Sequence, residues 1–373
     1  MAAADRVASS QAIRTTLVAG MVGNVMEWYD FSLYATFAPV LARLFFPSSD
    51  QTASLLATFA VFAAGFGARP LGAVIFGHYG DRLGRTKALA ASARRGFFSS
   101  WAMSGAYAGM VLGSALGALL AATLPAAALD LWGWRLPFLF GLVVGLVGLY
   151  IRLGIQEGPA FADLERAGAI ANRPLVEAIR YYWRAIVTTI ALLLLSVISE
   201  YMFLAYTPTY LTDVVGLPLA QALTVDMFGL LLLAVLVPIM GALSDRVGRK
   251  PILVAWAVGF VIFSYPIFVL MAHGSLATAV GGVVLFAGLL ALGQGPISAT
   301  LAEALPTRVR YTAVSVAYNV AQAGFGGTVP LVATYLVSVT GNHLTPSGTL
   351  IVAAIVTLLV VLRLPDRSHL PLA

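Results

Sequence analysis

The sequence has no cysteine among its 373 residues, and only 10% of them are charged. Without thiols there are no disulfides, thiolate metal sites or cysteine nucleophiles to consider. The charge content is less than half of the roughly 25% usual in soluble domains. The four histidines, His78, His273, His343 and His369, lie scattered at loops and ends without metal-ligand spacing. No Ser–His–Asp order, Walker sequence or nucleotide-binding segment occurs in the chain. An enzyme, an ATP-driven pump, a metal site and a bound cofactor are therefore not expected.

What the chain has in excess is apolar sequence. Hydrophobic residues make up 60% of it, in repeated runs of about 20, the length that crosses a hydrocarbon core. This composition predicts an all-α polytopic membrane protein with the lipid bilayer as its solvent. The first run, from Leu17, is too long for a signal-peptide core, carries Glu27 and Asp30, and has no small-residue cleavage site, so it reads as a helix. Ten spans are predicted, near 15–42, 53–76, 97–122, 135–153, 185–211, 222–243, 252–272, 277–300, 312–338 and 346–364.

The net charge of +6 is then a topology signal and not a nucleic-acid footprint. Placing the N-terminus inside puts 19 of the 22 Lys and Arg residues on cytoplasmic segments, with Arg43 and Arg135 outside and Arg69 within a span. This follows the positive-inside rule and predicts that both termini are cytoplasmic. The polar stretch 154–184, containing "QEGPAFADLERAGAIANRP", reads as a cytoplasmic linker with some helical character. It divides an N-terminal bundle, 1–153, from a C-terminal bundle, 185–373.

The two bundles repeat a passage. "GHYGDRLGRTK", Gly77 to Lys87, follows the second span of the first bundle, and "GALSDRVGRKP", Gly241 to Pro251, follows the second span of the other. Each reads as a tight turn. Gly77, Gly84 and Gly248 supply backbone freedom. Asp81 and Asp245 can cap the next helix or pair with an Arg, and Arg82, Arg85, Arg246 and Arg249 anchor the turn at the lipid surface.

The pattern G-x-x-x-D-R-x-G-R resembles the signature loop of the major facilitator superfamily. More narrowly, "GNVMEWYDFSLYATFAPVLARLFFP", "GFGARPLGAVIFGHYGDRLGR", "GWRLPFLFGLVVGLVGLYIRLGIQEGPAF" and "LPTRVRYTAVSVAYNVAQAGFGGTVP" resemble its metabolite:proton symporter family. That family includes permeases for α-ketoglutarate, citrate, shikimate and proline or betaine. The resemblance implies twelve helices in two six-helix halves. The implied activity is proton-coupled symport of a small polar metabolite, an organic acid or a zwitterionic osmolyte, across a bacterial inner membrane. Here the second half has six spans, and 57 residues separate Lys250 from Arg308; the corresponding stretch between Lys87 and Arg94 holds six. By this comparison the third and fourth helices are missing near 88–93, leaving about ten helices, four plus six. Such a first half leaves helix faces open to lipid or needs a second protomer to fill them, and a transporter remnant with impaired activity is the alternative reading.

Glu27 and Asp30, three apart, project from roughly one face of the first helix. Carboxylates inside a bilayer are costly, about 2.5–3.5 kcal/mol each on insertion scales. They suit proton uptake and release; otherwise one of them is a structural partner of Asn24, Tyr29 or Arg69. Asp30 and Glu200 each fall sixteen residues after an Arg that begins the first helix of a half, Arg14 and Arg184. Matching acids in two repeats point to the cavity between them, though a polar neighbour on another helix would also account for Glu200. Arg69 suits an ion pair with either acid, a clamp on a substrate carboxylate, or a reach to the interface. Tyr34, Tyr206, Gln294, Tyr318, Asn319 and Gln322 are candidates to orient a solute or to join helices. Gly105, Gly109, Gly113 and Gly117, spaced by four, predict a close helix–helix approach.

Overall fold

The computed structural model describes residues 21–67, 94–153, 174–304, 310–366 and 368. Every regular element among them is helical, as it must be where no water is present to satisfy backbone groups. The rods are α1 (21–45), α2 (Gln51–Gly67), α3 (Arg95–Thr123), α4 (Arg135–Leu153) and α5 (Pro174–Tyr201, continued by turns to Val214). They continue with α6 (Leu219–Val247), α7 (Arg249–Ala272), α8 (Leu276–Ala304), α9 (Arg310–Thr340) and α10 (Thr345–Arg363). Seven are long and apolar enough to cross a membrane, and Ala126–Gly133 with Arg135–Val143, bent by 40°, makes an eighth. α1 and α2 each run to the edge of the described residues. The chain is thus an all-α membrane protein with a rod at each of the ten predicted spans; α5 begins at Pro174 and not near 185, and the expected end of the second span, near 76, lies outside the described residues.

The helix ends follow the local sequence. Pro218 precedes α6, Gly341 closes α9 with φ +64, and Gly248 closes α6 with φ +101. At Gly248 a side chain would also meet the Asp366 carboxylate at 2.6 Å, so conformation and space both call for glycine. α5 starts at Pro174, inside the stretch read as linker; proline suits a first helical position, where its missing N–H costs nothing. The rest of that stretch, 154–173, lies outside the described residues.

Four π-helical turns occur among the described residues, at Leu129–Gly133 before α4, at Met202–Tyr206 and Tyr210–Val214 in α5, and at Gln322–Gly326 in α9. Such turns often mark functional sites. Here they carry Tyr206, Tyr210 and Gln322, all buried.

α5 to α10 pack around a continuous apolar core in which Phe286 meets Phe203 and Phe260 edge-on, at 5.2 and 5.7 Å. The first four helices are less well covered. α4 leaves Leu139, Phe140, Leu142, Val143 and Leu146 exposed, and α2 leaves Ala60, Val61, Ala64 and Gly65 exposed. The two groups meet where α3 lies along α6 and where α2 lies along α9.

Candidate functional site

α3 and α6 approach closely because small residues line their contact. A Cβ on Gly96 would meet the Gly241 carbonyl oxygen at 2.5 Å. Further along, the Ser104 hydroxyl donates to the Ala234 carbonyl at 2.6 Å, and the Ser114 hydroxyl to that of Leu223 at 3.1 Å. The glycine stripe faces a different neighbour. Gly105 and Gly109 lie on the backbone of Met21 and Val25, and Gly113 and Gly117 on the side chains of Ser32 and Thr36. α3 therefore presents this stripe mainly to α1, and Ser104 and Ser114 to α6.

One end of the α3–α6 seam, here the basic end, carries an ionic cluster built on the second signature loop. The Asp245 carboxylate accepts the backbone N–H groups of Gly96 and Phe97, both at 2.8 Å. It thereby caps α3, where the helix dipole favours an anion. The sequence offered Asp245 two roles, capping the next helix or pairing with an Arg. The helix it caps belongs to the other group, and the pairing is with Arg249, at 2.8 Å. Arg249 is buried and also reaches Glu303 of α8 at 3.2 Å and the Ser244 hydroxyl, while Arg95 approaches Glu303 at 3.6 Å. Two anions and two guanidinium groups so tie together α3, α6, α7 and α8. Arg246 points outward and is exposed.

Beside the cluster, the Lys250 ammonium donates to the Leu362 and Leu364 carbonyls, and its backbone N–H to Asp366 at 3.2 Å. Burial pushes the Asp366 carboxyl up, but hydrogen bonds from Ser368 and from the Lys250 and Arg249 backbone outweigh it and hold the group below its ordinary range. At the far end of the bundle Arg43 pairs with Asp130 at 3.1 Å, and Asp213 lies against Gln51 and Arg43.

The middle of the molecule brings acids and aromatic rings together. Glu200 is 2% exposed, and its carboxylate sits against the Tyr107 hydroxyl of α3, with Tyr201 and Tyr318 close by. Tyr201 in turn meets Phe66 at 5.1 Å and Trp28 and Phe62 at 6.3 Å. Phe31 and Tyr34 extend this cluster, at 5.0 Å from Phe66 and 5.7 Å from Phe62. Rings from α1, α2 and α5 thus surround one face of the Glu200 region. Every described Lys and Arg lies near a helix end, so no cation reaches this middle layer among the described residues.

The remaining sequence-predicted residues divide. Glu27 and Asp30 are exposed on one face of α1, with Gly23, and the Asp30 carboxylate points at Gly141 of α4. Gln294 is buried and pairs with Ser196 at 3.2 and 3.3 Å. The Tyr34 hydroxyl donates to the Thr58 carbonyl at 3.0 Å, and Asn319 to the Ser315 carbonyl of its own helix. Gln322 is fully buried and neither side-chain polar atom has a hydrogen bond among the described residues. Arg69, Gly77, Asp81, Arg82, Gly84 and Arg85 lie outside the described residues. His, Asp and Glu form no group able to hold a metal ion among the described residues.

Asp226 of α6 was not among the predicted residues. It is 1% exposed, accepts the Ser114 hydroxyl at 2.9 Å, and has a second carboxylate oxygen without a partner. The criterion that found Glu200, an acid inside an apolar span, applies equally to "LTVDMFGLL". Tyr107, Arg95 and Glu303 carry no such signal, because their roles come from the helices they face.

Comparisons with known proteins agree with this architecture. Residues 163–373, more than half of the chain, match the family Sugar (and other) transporter, and residues 88–236 match Major Facilitator Superfamily. The chain belongs to the major facilitator superfamily. It is 28% identical over 431 residues to the proline/betaine transporter of Escherichia coli K12, covering 96% of this chain and 85% of that one. It is 30% identical over 390 residues to the citrate-proton symporter of Salmonella typhi, covering 89% of each. Among solved structures, the partially occluded inward-open xylose transporter from E. coli superimposes with a TM-score of 0.67 at 15% identity, covering 95% of this chain and 98% of that one. Superfamily membership makes the chain a multi-pass transporter and not an enzyme, as its composition led one to expect.

Proposed function

We propose that this transporter carries a small polar metabolite together with a proton, by alternating access between its two bundles. The observation that carries the reading is Glu200, a carboxylate buried in a membrane helix at the junction of the bundles, against Tyr107 of the opposite one. A carboxyl that gains a proton as solute binds, and loses it when the opposite face opens, couples the two movements. Glu27 and Asp30 on α1 are assigned the same part in the first bundle. The basic end is cytoplasmic in this reading, as are both termini, and the membrane is a bacterial inner membrane.

The aromatic layer favours a zwitterion over a polycarboxylic acid. Ring faces attract an ammonium group, and no described cation stands in the middle layer to receive several carboxylates. Arg69 is the residue assigned to a single substrate carboxylate. Tyr206, Tyr318 and the Gln322 amide, which has no hydrogen bond among the described residues, are the remaining orienting groups. The test is uptake into liposomes. Gradient-stimulated uptake of a betaine-like or proline-like solute that disappears in Glu200→Gln, and in Asp30→Asn or Glu27→Gln, is the expected result. Uptake indifferent to the gradient overturns the coupling.

A second reading, a remnant with impaired transport, is favoured by one specific feature. The proline/betaine alignment runs over 431 residues, more than this chain possesses, so the relative contains segments without a counterpart here. The stretch between Gly67 and Arg95 is too short for the two further spans, of about 20 residues each, that the second bundle has at that place. The exposed small residues of α2, Ala60, Ala64 and Gly65, form the kind of face that another helix normally covers. Here lipid or a second protomer would cover it. Folded protein with no flux for any of a broad panel of solutes supports this reading.

A further inference from the structure

The α3–α6 seam is latched twice, by unlike means. At the basic end Asp245 is charge-compensated by Arg249 and by the N-terminal N–H groups of α3. About two turns from the other end of α6, Asp226 has a single donor, the Ser114 hydroxyl, and one oxygen with no partner. It is fully enclosed, and no charged side chain acts on it among the described residues.

The elements packed on α6 have their titratable groups elsewhere. Arg95 and Tyr107 of α3 lie at the basic end and the middle. Glu303 of α8 and Arg249 and Lys250 of α7 lie at the basic end. Tyr265 and His273 of α7 are exposed, the first on the surface and the second past the helix terminus. Asp213 of α5 faces Gln51 and Arg43, and Tyr206 and Tyr210 pair with each other at 5.9 Å.

We propose that Asp226 is a proton-binding site that controls the far end of the seam: the neutral carboxylic acid closes it, and the ionised carboxylate opens it. The physical reason is that a lone carboxylate in a dry contact, without a counter-charge, is strongly disfavoured. The neutral acid keeps the Ser114 contact and sheds the charge. The ionised form needs water, which enters only when α3 and α6 part. Closing therefore takes up one proton and opening releases it. This latch is separate from the coupling assigned to Glu200, Glu27 and Asp30, and it is tested without any solute.

Because the chain has no cysteine, spin labels at Leu119→Cys and Gln221→Cys, both exposed near the far ends of α3 and α6, report the seam directly. In reconstituted protein the ratio of long to short label distances should rise with pH, by up to about tenfold per pH unit, the limit for one linked proton. Asp226→Asn should hold the short distance at every pH. The infrared carbonyl band of a protonated carboxylic acid should disappear as the distance lengthens, and Asp226→Glu should shift that band, which identifies it even if the Asn variant does not fold. A wild-type distance that ignores pH, or an Asp226→Asn variant that responds like wild type, would each overturn the proposal.

Discussion

Asp30 and Glu200 each lie sixteen residues after an Arg, Arg14 and Arg184, and end in opposite surroundings. Glu200 is enclosed by α5, α3 and α9, whereas Asp30 is exposed beside Gly141. The same contrast separates the bundles at large. The six-helix group buries a continuous apolar core, while α4 and α2 of the other leave broad faces uncovered. The same offset along the chain does not give equal burial, because burial is supplied by neighbouring helices and the first group has fewer of them among the described residues.

The comparison can be broken most forcefully at the signature loops. Asp245→Ala strips Arg249 of one anion and uncaps α3. Loss of one partner from a buried ion pair costs about 3–5 kcal/mol, which thermal unfolding in detergent should show. Asp81→Ala, at the matching place of the first signature loop, is the companion measurement, and equal losses would mean that the two loops are held alike.

The acids give a smaller effect. Glu200→Ala leaves the buried Tyr107 hydroxyl without its neighbour and should cost about 1–3 kcal/mol. Asp30→Ala, at an exposed position, should stay within about 0.5 kcal/mol. Similar costs in the two variants would remove the contrast. Within the first bundle, Gly109→Ala drives a methyl group into the Val25 backbone, an overpacking of about 1–3 kcal/mol. Gly65→Ala on α2, where nothing lies within 4 Å, should not destabilise, and a matching loss there would mean that α2 is covered in the membrane.

A small, pH-dependent change is expected at Asp366. Its carboxyl titrates lower in the folded protein, so it stabilises the fold above the ordinary Asp range, near about 3.9, and that help is lost as pH falls through its own lower range. Asp366→Asn should cost under about 1 kcal/mol near neutral pH and show no difference from wild type in strong acid.

Much of this was legible in the residues. The lengths of the apolar runs placed the helices, and the doubled loop revealed the two bundles. The cost of burying charge singled out Glu200, and the four-residue spacing of Gly105 to Gly117 marked a contact face. Its partner, α1, was not legible, nor was the helix capped by Asp245, which lies 149 positions away at Gly96. Gln294 and Gln322 look alike as amides within apolar helices, yet one is paired with Ser196 and the other has no hydrogen bond among the described residues.

By itself the sequence determined a membrane-spanning helical chain with duplicated loops, because hydrophobic length and local charge act within one segment and need no partner. Only the tertiary structure decided which acids are enclosed, that Asp226 meets Ser114, and that α3 is clasped by a loop of the other bundle. Those outcomes depend on the helix that arrives on each face, and its identity is written in distant parts of the chain.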